Sequence, residues 1–221
     1  MPRAKRIFLI RHGQSASNVD ITLHSHTPDH KIPLTQLGLQ QAAEAGKTLA
    51  GKFAGERVSV YYSPFLRTRQ TWSQIREQLP TELIYKERED PRIREQEWGN
   101  FQNLDEMEII DKERDAYGPF YYRLPNGESG ADVYDRCTTF LDTLYRDFER
   151  ADFPPNVLIV SHGLTIRLLL MRWLHYTVEE FENFANPKNC QIFEMALDEK
   201  ENRYKLLTPF GKWQKKETQT K

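Results

Sequence analysis

The chain alternates short apolar runs with longer amphipathic stretches. Ile7-Phe8-Leu9-Ile10 is a continuous apolar run, and Val157-Leu158-Ile159-Val160 is a second, after Pro154-Pro155-Asn156. Such runs suit strands buried on both faces of a parallel sheet. Val58 to Tyr62 alternates and is β-branched, which predicts another strand, and Glu82 to Tyr85 predicts a short one. Thr35 is placed to cap a helix running to about Phe53, with Leu39, Ala42, Ala43, Leu49 and Phe53 on one face. Ser63-Pro64 opens a second helix that stops before Pro80, with proline in the first turn, where its missing N–H costs nothing. Leu104 to Tyr117 predicts a helix broken by Gly118-Pro119. Asp132 to Arg150 predicts another, with Val133, Phe140, Leu141, Leu144 and Phe148 on one side. One more follows Gly163 to about Leu174, and a short one lies near 178–184. Ile192 to Leu197 and Arg203 to Leu207 predict a closing hairpin. Residues 11–34 and 91–103 read as loops, and Leu124-Pro125-Asn126-Gly127 as a turn. Strands alternating with helices predict an α/β fold, with a mostly parallel central sheet and helices on both faces. Residues 1–211 read as one domain and 212–221 as a polar tail that frays.

Composition narrows the class. The chain has 221 residues, 38% of them apolar, enough for a sizeable core. Lys and Arg number 31 against 32 Asp and Glu, which argues against a general nucleic-acid binder. No apolar run approaches the length of a membrane span. The apolar run after the basic start ends at Arg11-His12, too short for a signal-peptide core. Cys137 and Cys190 form no disulfide framework and read as small buried residues. The expectation is a soluble cytoplasmic protein of undetermined oligomeric state.

The chemistry lies in a repeated context. Ile7 to Ile10 runs into Arg11-His12-Gly13, and Val157 to Val160 runs into Ser161-His162-Gly163. Ligands of open α/β sheets bind outside the carboxyl ends of strands. Two neighbouring parallel strands therefore place His12 and His162 side by side in one cleft. The glycine after each histidine is read as permitting close approach of backbone to a ligand. Arg11 adjoins His12, and Arg67 lies early in the helix after the second strand; Arg69 is read as solvated. A guanidinium fork matches phosphate oxygens. Two histidines and two arginines make a phosphate site with a nucleophile, because a neutral imidazole can attack phosphorus.

Arg11-His12-Gly13-Gln14-Ser15-Ala16-Ser17-Asn18 resembles the signature of the histidine phosphatase, or phosphoglycerate mutase-like, superfamily. So do Pro33-Leu34-Thr35-Gln36-Leu37-Gly38, Ser63-Pro64 with Arg67-Thr68 and Thr71, and Ser161-His162-Gly163 with Arg167. The resemblance covers about residues 6–175 in order. It implies the three-layer fold of that family and phosphorylation of His12. It implies that Arg11, Arg67 and His162 line the phosphate pocket, with Ser15, Asn18 and the Gly163 N–H as further contacts. It implies no metal and no cofactor.

A leaving oxygen needs a proton, and one carboxyl can give it and later deprotonate water. The resemblance places that carboxyl at Glu95, with Glu97 as the alternative; in an extended segment both point the same way. The family holds mutases and phosphatases. A mutase has a lysine where this chain has Glu106, and an adjacent arginine pair where Arg123 stands alone. Trp98, Tyr117, Tyr121 and Tyr122 are candidates for a pocket wall, with core packing as the plainer role. Thr27 to Thr35, Arg94 to Phe101 and Asn126 to Arg136 further resemble a subgroup whose yeast member is a broad-range acid phosphatase. The implied function is a phosphomonoesterase acting on small-molecule phosphomonoesters through a phosphohistidine. A cofactor-dependent mutase and an inactive relative that binds phosphorylated partners are the alternatives.

His24, His26 and His30 share one loop. Their spacing is a weak zinc signal. The loop is expected instead to border the phosphate site, with His30 the candidate to touch substrate. Glu128-Ser129 is read chiefly as a helix cap, and His175 as structural.

Overall fold

A computed structural model describes residues 4–99 and 103–212. Residues 100–102 of the predicted loop and 213–221 of the predicted tail lie outside the described residues. Six strands form one sheet: β1 (Arg6–Arg11), β2 (Val58–Tyr62), β3 (Ile84–Glu89), β4 (Asn156–Ser161), β5 (Ile192–Asp198) and β6 (Arg203–Leu206). Their spatial order is β3-β2-β4-β1-β5-β6. β4 runs parallel to both β1 and β2, and β2 parallel to β3, while β5 and β6 add the antiparallel hairpin at one edge. The two apolar runs are thus the neighbouring central strands, with Ile7 opposite Val157 and Arg11 opposite Ser161.

Alternation along these strands splits the core into two layers. Ile7, Leu9, Val157 and Ile159 pack with α5 (Gly130–Phe148) and α6 (Gly163–Leu174) on one face. Phe8, Ile10, Leu158 and Val160 pack with α2 (Gln36–Phe53) and α3 (Leu66–Arg76) on the other. This is the expected three-layer α/β architecture, and it explains why both runs are apolar at every position. The remaining helices are α1 (Ala16–Val19), α4 (Leu104–Tyr117) and α7 (Val178–Glu182).

Several boundaries differ from the sequence expectation. α3 begins at Leu66 with Phe65 as its cap, so Ser63 and Pro64 form the strand-to-helix turn. The Ser63 hydroxyl meets His162 Nε2 at 2.7 Å and accepts from Phe65 N at 3.4 Å, so it joins this turn to the end of β4. β3 is longer than predicted and shifted towards Glu89, because pairing with β2 extends it past its apolar residues. The 11–34 loop holds α1 and two 3₁₀ turns, Ile21–Ser25 and Asp29–Lys31. α5 starts at Gly130, where Ser129 caps it: Asp132 N donates to Ser129 Oγ at 3.2 Å, and Ser129 N to Asp132 Oδ2 at 2.7 Å. Thr35 caps α2 as predicted, accepting from Gly38 N at 3.0 Å. His175 is the left-handed cap of α6. Lys212, the first residue of the predicted tail, pairs with Phe184 in an isolated bridge.

Candidate active site

β1 and β4 end side by side, so the residues after them meet. The His12 and His162 rings lie edge to face with centroids 5.3 Å apart, and both are buried. His12 Nδ1 lies 2.7 Å from Gly13 O. A carbonyl only accepts, so Nδ1 carries the proton and the neutral ring keeps its lone pair on Nε2. Burial holds His12 well below the ordinary histidine value, and Arg67 and Arg11 push the same way. His162 is lowered well below that value by burial, Arg67, His12 and Arg11 in turn. His162 Nε2 meets Ser63 Oγ at 2.7 Å, and its ring packs on Phe65. Two uncharged imidazoles therefore sit among fixed cations.

Arg67 is buried over the Phe65 ring. Its fork is held by the Asp29 carboxylate, Nη1 to Oδ1 at 2.9 Å and Nη2 to Oδ2 at 3.1 Å. Arg11 Nη1 donates to Pro187 O at 2.5 Å, while its buried Nε has no hydrogen-bond partner among the described residues. Arg11, Arg67, Asn18, Glu95, Trp98, His24 and Asp29 line one cavity of about 610 Å³. Asn18 Oδ1 accepts from Ser15 N and Asn189 Nδ2, both at 3.1 Å, which fixes the amide.

The two carboxylates that sequence left open separate here. Glu95 lines the cavity with Arg11 and Arg67. Glu97 is exposed and lines a different cavity with His26, His30 and Phe65. They do not face the same way, because the segment after the 3₁₀ turn Pro91–Ile93 is irregular rather than a strand. Glu95 is held tightly. Thr165 Oγ1 donates to Arg94 O at 2.7 Å and lies 3.1 Å from Glu95 Oε1. Arg136 on α5 donates to the carbonyls of Arg92, Arg94 and Glu95, and pairs with Glu128. Glu128 also takes Arg94 and the Glu97 N–H, so it anchors this loop besides preceding the α5 cap. Sequence reasoning missed Arg136 and Thr165, which act only through loop carbonyls distant in the chain.

The other expected residues are spread around this cavity and its neighbours. Ser15 is buried against Ser17, and neither it nor His12 nor His162 is among the residues lining the cavity that Arg11 and Arg67 share. His30 is exposed and lines the adjoining cavity; His24, half-buried, reaches the one with the arginines. The glycine after each histidine also stands where a side chain would not fit. A Cβ on Gly13 would lie 2.4 Å from Gly38 O, and one on Gly163 would lie 2.1 Å from Asn186 Oδ1. Tyr121 and Tyr122 line neither cavity beside Trp98, and Tyr122 bonds Glu113 at the surface. Arg69 is exposed, as read. Among the described residues no group of three or more His, Cys, Asp or Glu stands close enough to hold a metal ion, and no helix is long and apolar enough to cross a membrane.

A profile of the histidine phosphatase superfamily, branch 1, matches residues 7–208. The chain belongs to that superfamily. It is 45% identical over 208 residues to the phosphoglycerate mutase-like protein AT74H of Arabidopsis thaliana, covering 87% of this chain and 74% of the relative. It is 32% identical to the broad-range acid phosphatase DET1 of Saccharomyces cerevisiae, covering 96% of this chain and 91% of the relative. The solved structure of the open reading frame Rv3214 product of Mycobacterium tuberculosis superposes with a TM-score of 0.70 at 27% identity, covering 93% of this chain and 97% of that one. Family and relatives agree with the expected enzyme class, a phosphatase of this superfamily, and with the expected fold.

Proposed function

We propose that this superfamily member hydrolyses phosphomonoesters through a phosphohistidine on His12. The carrying observation is the His12 ring itself, buried, neutral and held through Nδ1 so that Nε2 is the free lone pair. Nε2 attacks phosphorus and the bond to the ester oxygen breaks. Glu95 gives that oxygen its proton. Arg11, Arg67, Asn18 and the Gly163 N–H carry the charge on the three non-bridging oxygens of the phosphoryl group in flight. With the Ser63 hydroxyl donating to His162 Nε2, the ring keeps a proton on Nδ1 to offer to the phosphoryl group. Water then loses a proton to Glu95 and attacks the phosphohistidine, releasing phosphate and neutral His12.

This reading draws its positive charge from arginines, and its general acid works protonated. Both features suit broad acid-side hydrolysis of the kind named for the yeast relative. The test is hydrolysis of an aryl phosphate from roughly pH 4 to 8, with base-quenched mass spectrometry for a phosphoryl group on His12. Acid-side turnover and a phosphoryl adduct absent from His12→Ala are the expected results. The variant loses about 10³-fold or more. Isomerisation of 3-phosphoglycerate is run in parallel, because the Arabidopsis relative is named mutase-like. Isomerisation outpacing hydrolysis overturns the proposal.

A further inference from the structure

The strand end that carries Arg11 and His12 is gripped by the turn before β5, residues 187–191. Arg11 N donates to Gln191 O at 3.3 Å, and Arg11 Nη1 to Pro187 O at 2.5 Å. Cys190 takes left-handed backbone, φ 54°, which side chains rarely adopt. Its N–H is shared between Arg11 O at 3.1 Å and His12 O at 3.3 Å. The turn is closed on itself by Gln191, whose N donates to Lys188 O at 3.0 Å and whose Oε1 accepts from Lys188 N at 2.8 Å.

Within this turn the Asn189 side chain reaches two acceptors at once. Its Nδ2 donates to His12 O at 3.2 Å and to Asn18 Oδ1 at 3.1 Å. A main-chain carbonyl only accepts, so the Asn189 amide has one orientation here, and both of its protons are used. Asn18 Oδ1 then has two donors, Asn189 Nδ2 and Ser15 N, which fill both of its lone pairs. What Asn18 has left is Nδ2, whose two protons meet no protein acceptor among the described residues. Asn18 is an exposed side chain that lines the cavity with Arg11 and Arg67, whereas Asn189 is not among the residues lining it. An amide free to turn would present its oxygen to that cavity part of the time, and an oxygen lone pair repels an oxyanion. Two anchors on Oδ1 remove that orientation.

We infer that Asn189 is a positioning residue of the phosphoryl site: it turns Asn18 so that a donor faces the bound oxyanion, and it ties that amide to the main chain of His12. The inference rests on the proposed phosphatase reading for the identity of the oxyanion. Asn189 acts through Asn18, and it lies 171 positions from it along the chain.

The test is orthovanadate binding, followed by titration, in a double-mutant cycle of Asn189→Leu and Asn18→Ala. Leucine has nearly the shape of asparagine and no donor, and Cys190 N still holds His12 O in that variant. Binding does not depend on turnover. Asn189→Leu is expected to weaken orthovanadate about tenfold in the wild-type background, the worth of one charge-assisted hydrogen bond, and less than about twofold once Asn18 is alanine. Equal losses in the two backgrounds would make Asn189 a general brace of the turn and overturn the inference, as would no loss in either. Should the leucine variant misfold, side-chain amide NMR of wild-type protein decides the matter. The Asn189 Nδ2 protons are expected to exchange slowly in the free protein, and those of Asn18 to slow only when orthovanadate is bound. Asn18 protons already protected without the anion, or unchanged by it, overturn the inference. Coupled losses in a protein that does not hydrolyse aryl phosphates would sink the phosphatase reading and leave the role of Asn189 standing. Orthovanadate that does not bind wild-type protein at all would overturn both.

Discussion

The Asp29 carboxylate closes on both terminal nitrogens of Arg67, at 2.9 and 3.1 Å. It therefore occupies a guanidinium fork of the shape that phosphate oxygens take. An arriving phosphoryl group must share or displace this pairing, and a carboxylate beside a bound anion repels it. Asp29→Asn keeps the shape and removes the charge. Inorganic phosphate is expected to inhibit that variant about three- to tenfold more strongly, a modest Coulomb effect at a partly solvated site. The check is the inhibition constant of phosphate. Weaker inhibition would mean that Asp29 mainly holds Arg67 in place.

Glu95 and Glu97 are two residues apart and line different cavities. Glu95→Gln is expected to lower kcat on alkyl phosphates by about 10²- to 10⁴-fold, the usual worth of a general acid. The loss shrinks for esters whose leaving group needs no proton. Glu97→Gln should change kcat less than about threefold. A crippled Glu97→Gln enzyme beside an intact Glu95→Gln one would transfer the role.

Thr165 touches the Glu95 carboxylate and holds the Arg94 carbonyl from the first turn of α6. As a positioning residue it acts through Glu95. Thr165→Val is isosteric and is expected to cost about tenfold in kcat with little change in KM, while Thr165→Ser restores most of the loss. The pH profile of kcat should move in the valine variant and return in the serine one. An unmoved profile would leave Thr165 a packing residue.

His12 and His162 both sit well below the ordinary histidine value of 6.5, first because of burial and then because of nearby arginines. The unfolded chain thus binds more protons than the folded one below about pH 6.5, so stability rises with pH there. The full contribution is present above that value and is lost on acidification. Each buried histidine costs about 1.4 kcal/mol per pH unit until its folded value is reached. Thermal melts should show Tm falling from roughly pH 6.5 to 5, and His162→Asn should flatten that slope by about half. Identical slopes for the variant and wild type would assign the titration to carboxylates.

The central sheet was legible in sequence because strands buried on both faces must be apolar at every position. Ile7 to Ile10 and Val157 to Val160 therefore identified themselves, and the histidines at their ends with them. Caps and breakers were equally local, which is why Thr35 and Gly118 marked helix ends correctly. What tertiary structure alone decided involves contacts between distant segments. The irregular path after Ile93 sent Glu95 and Glu97 to different cavities, and Arg136 and Thr165 hold that path through backbone carbonyls that carry no residue-specific signal. Asp29 met Arg67, and Asn189 met Asn18, by packing across 38 and 171 positions of chain. Chain patterning reports which side chains are buried; only the assembled layers determine which buried charges face each other, because Coulomb and hydrogen-bond energies depend on distance in space rather than along the sequence.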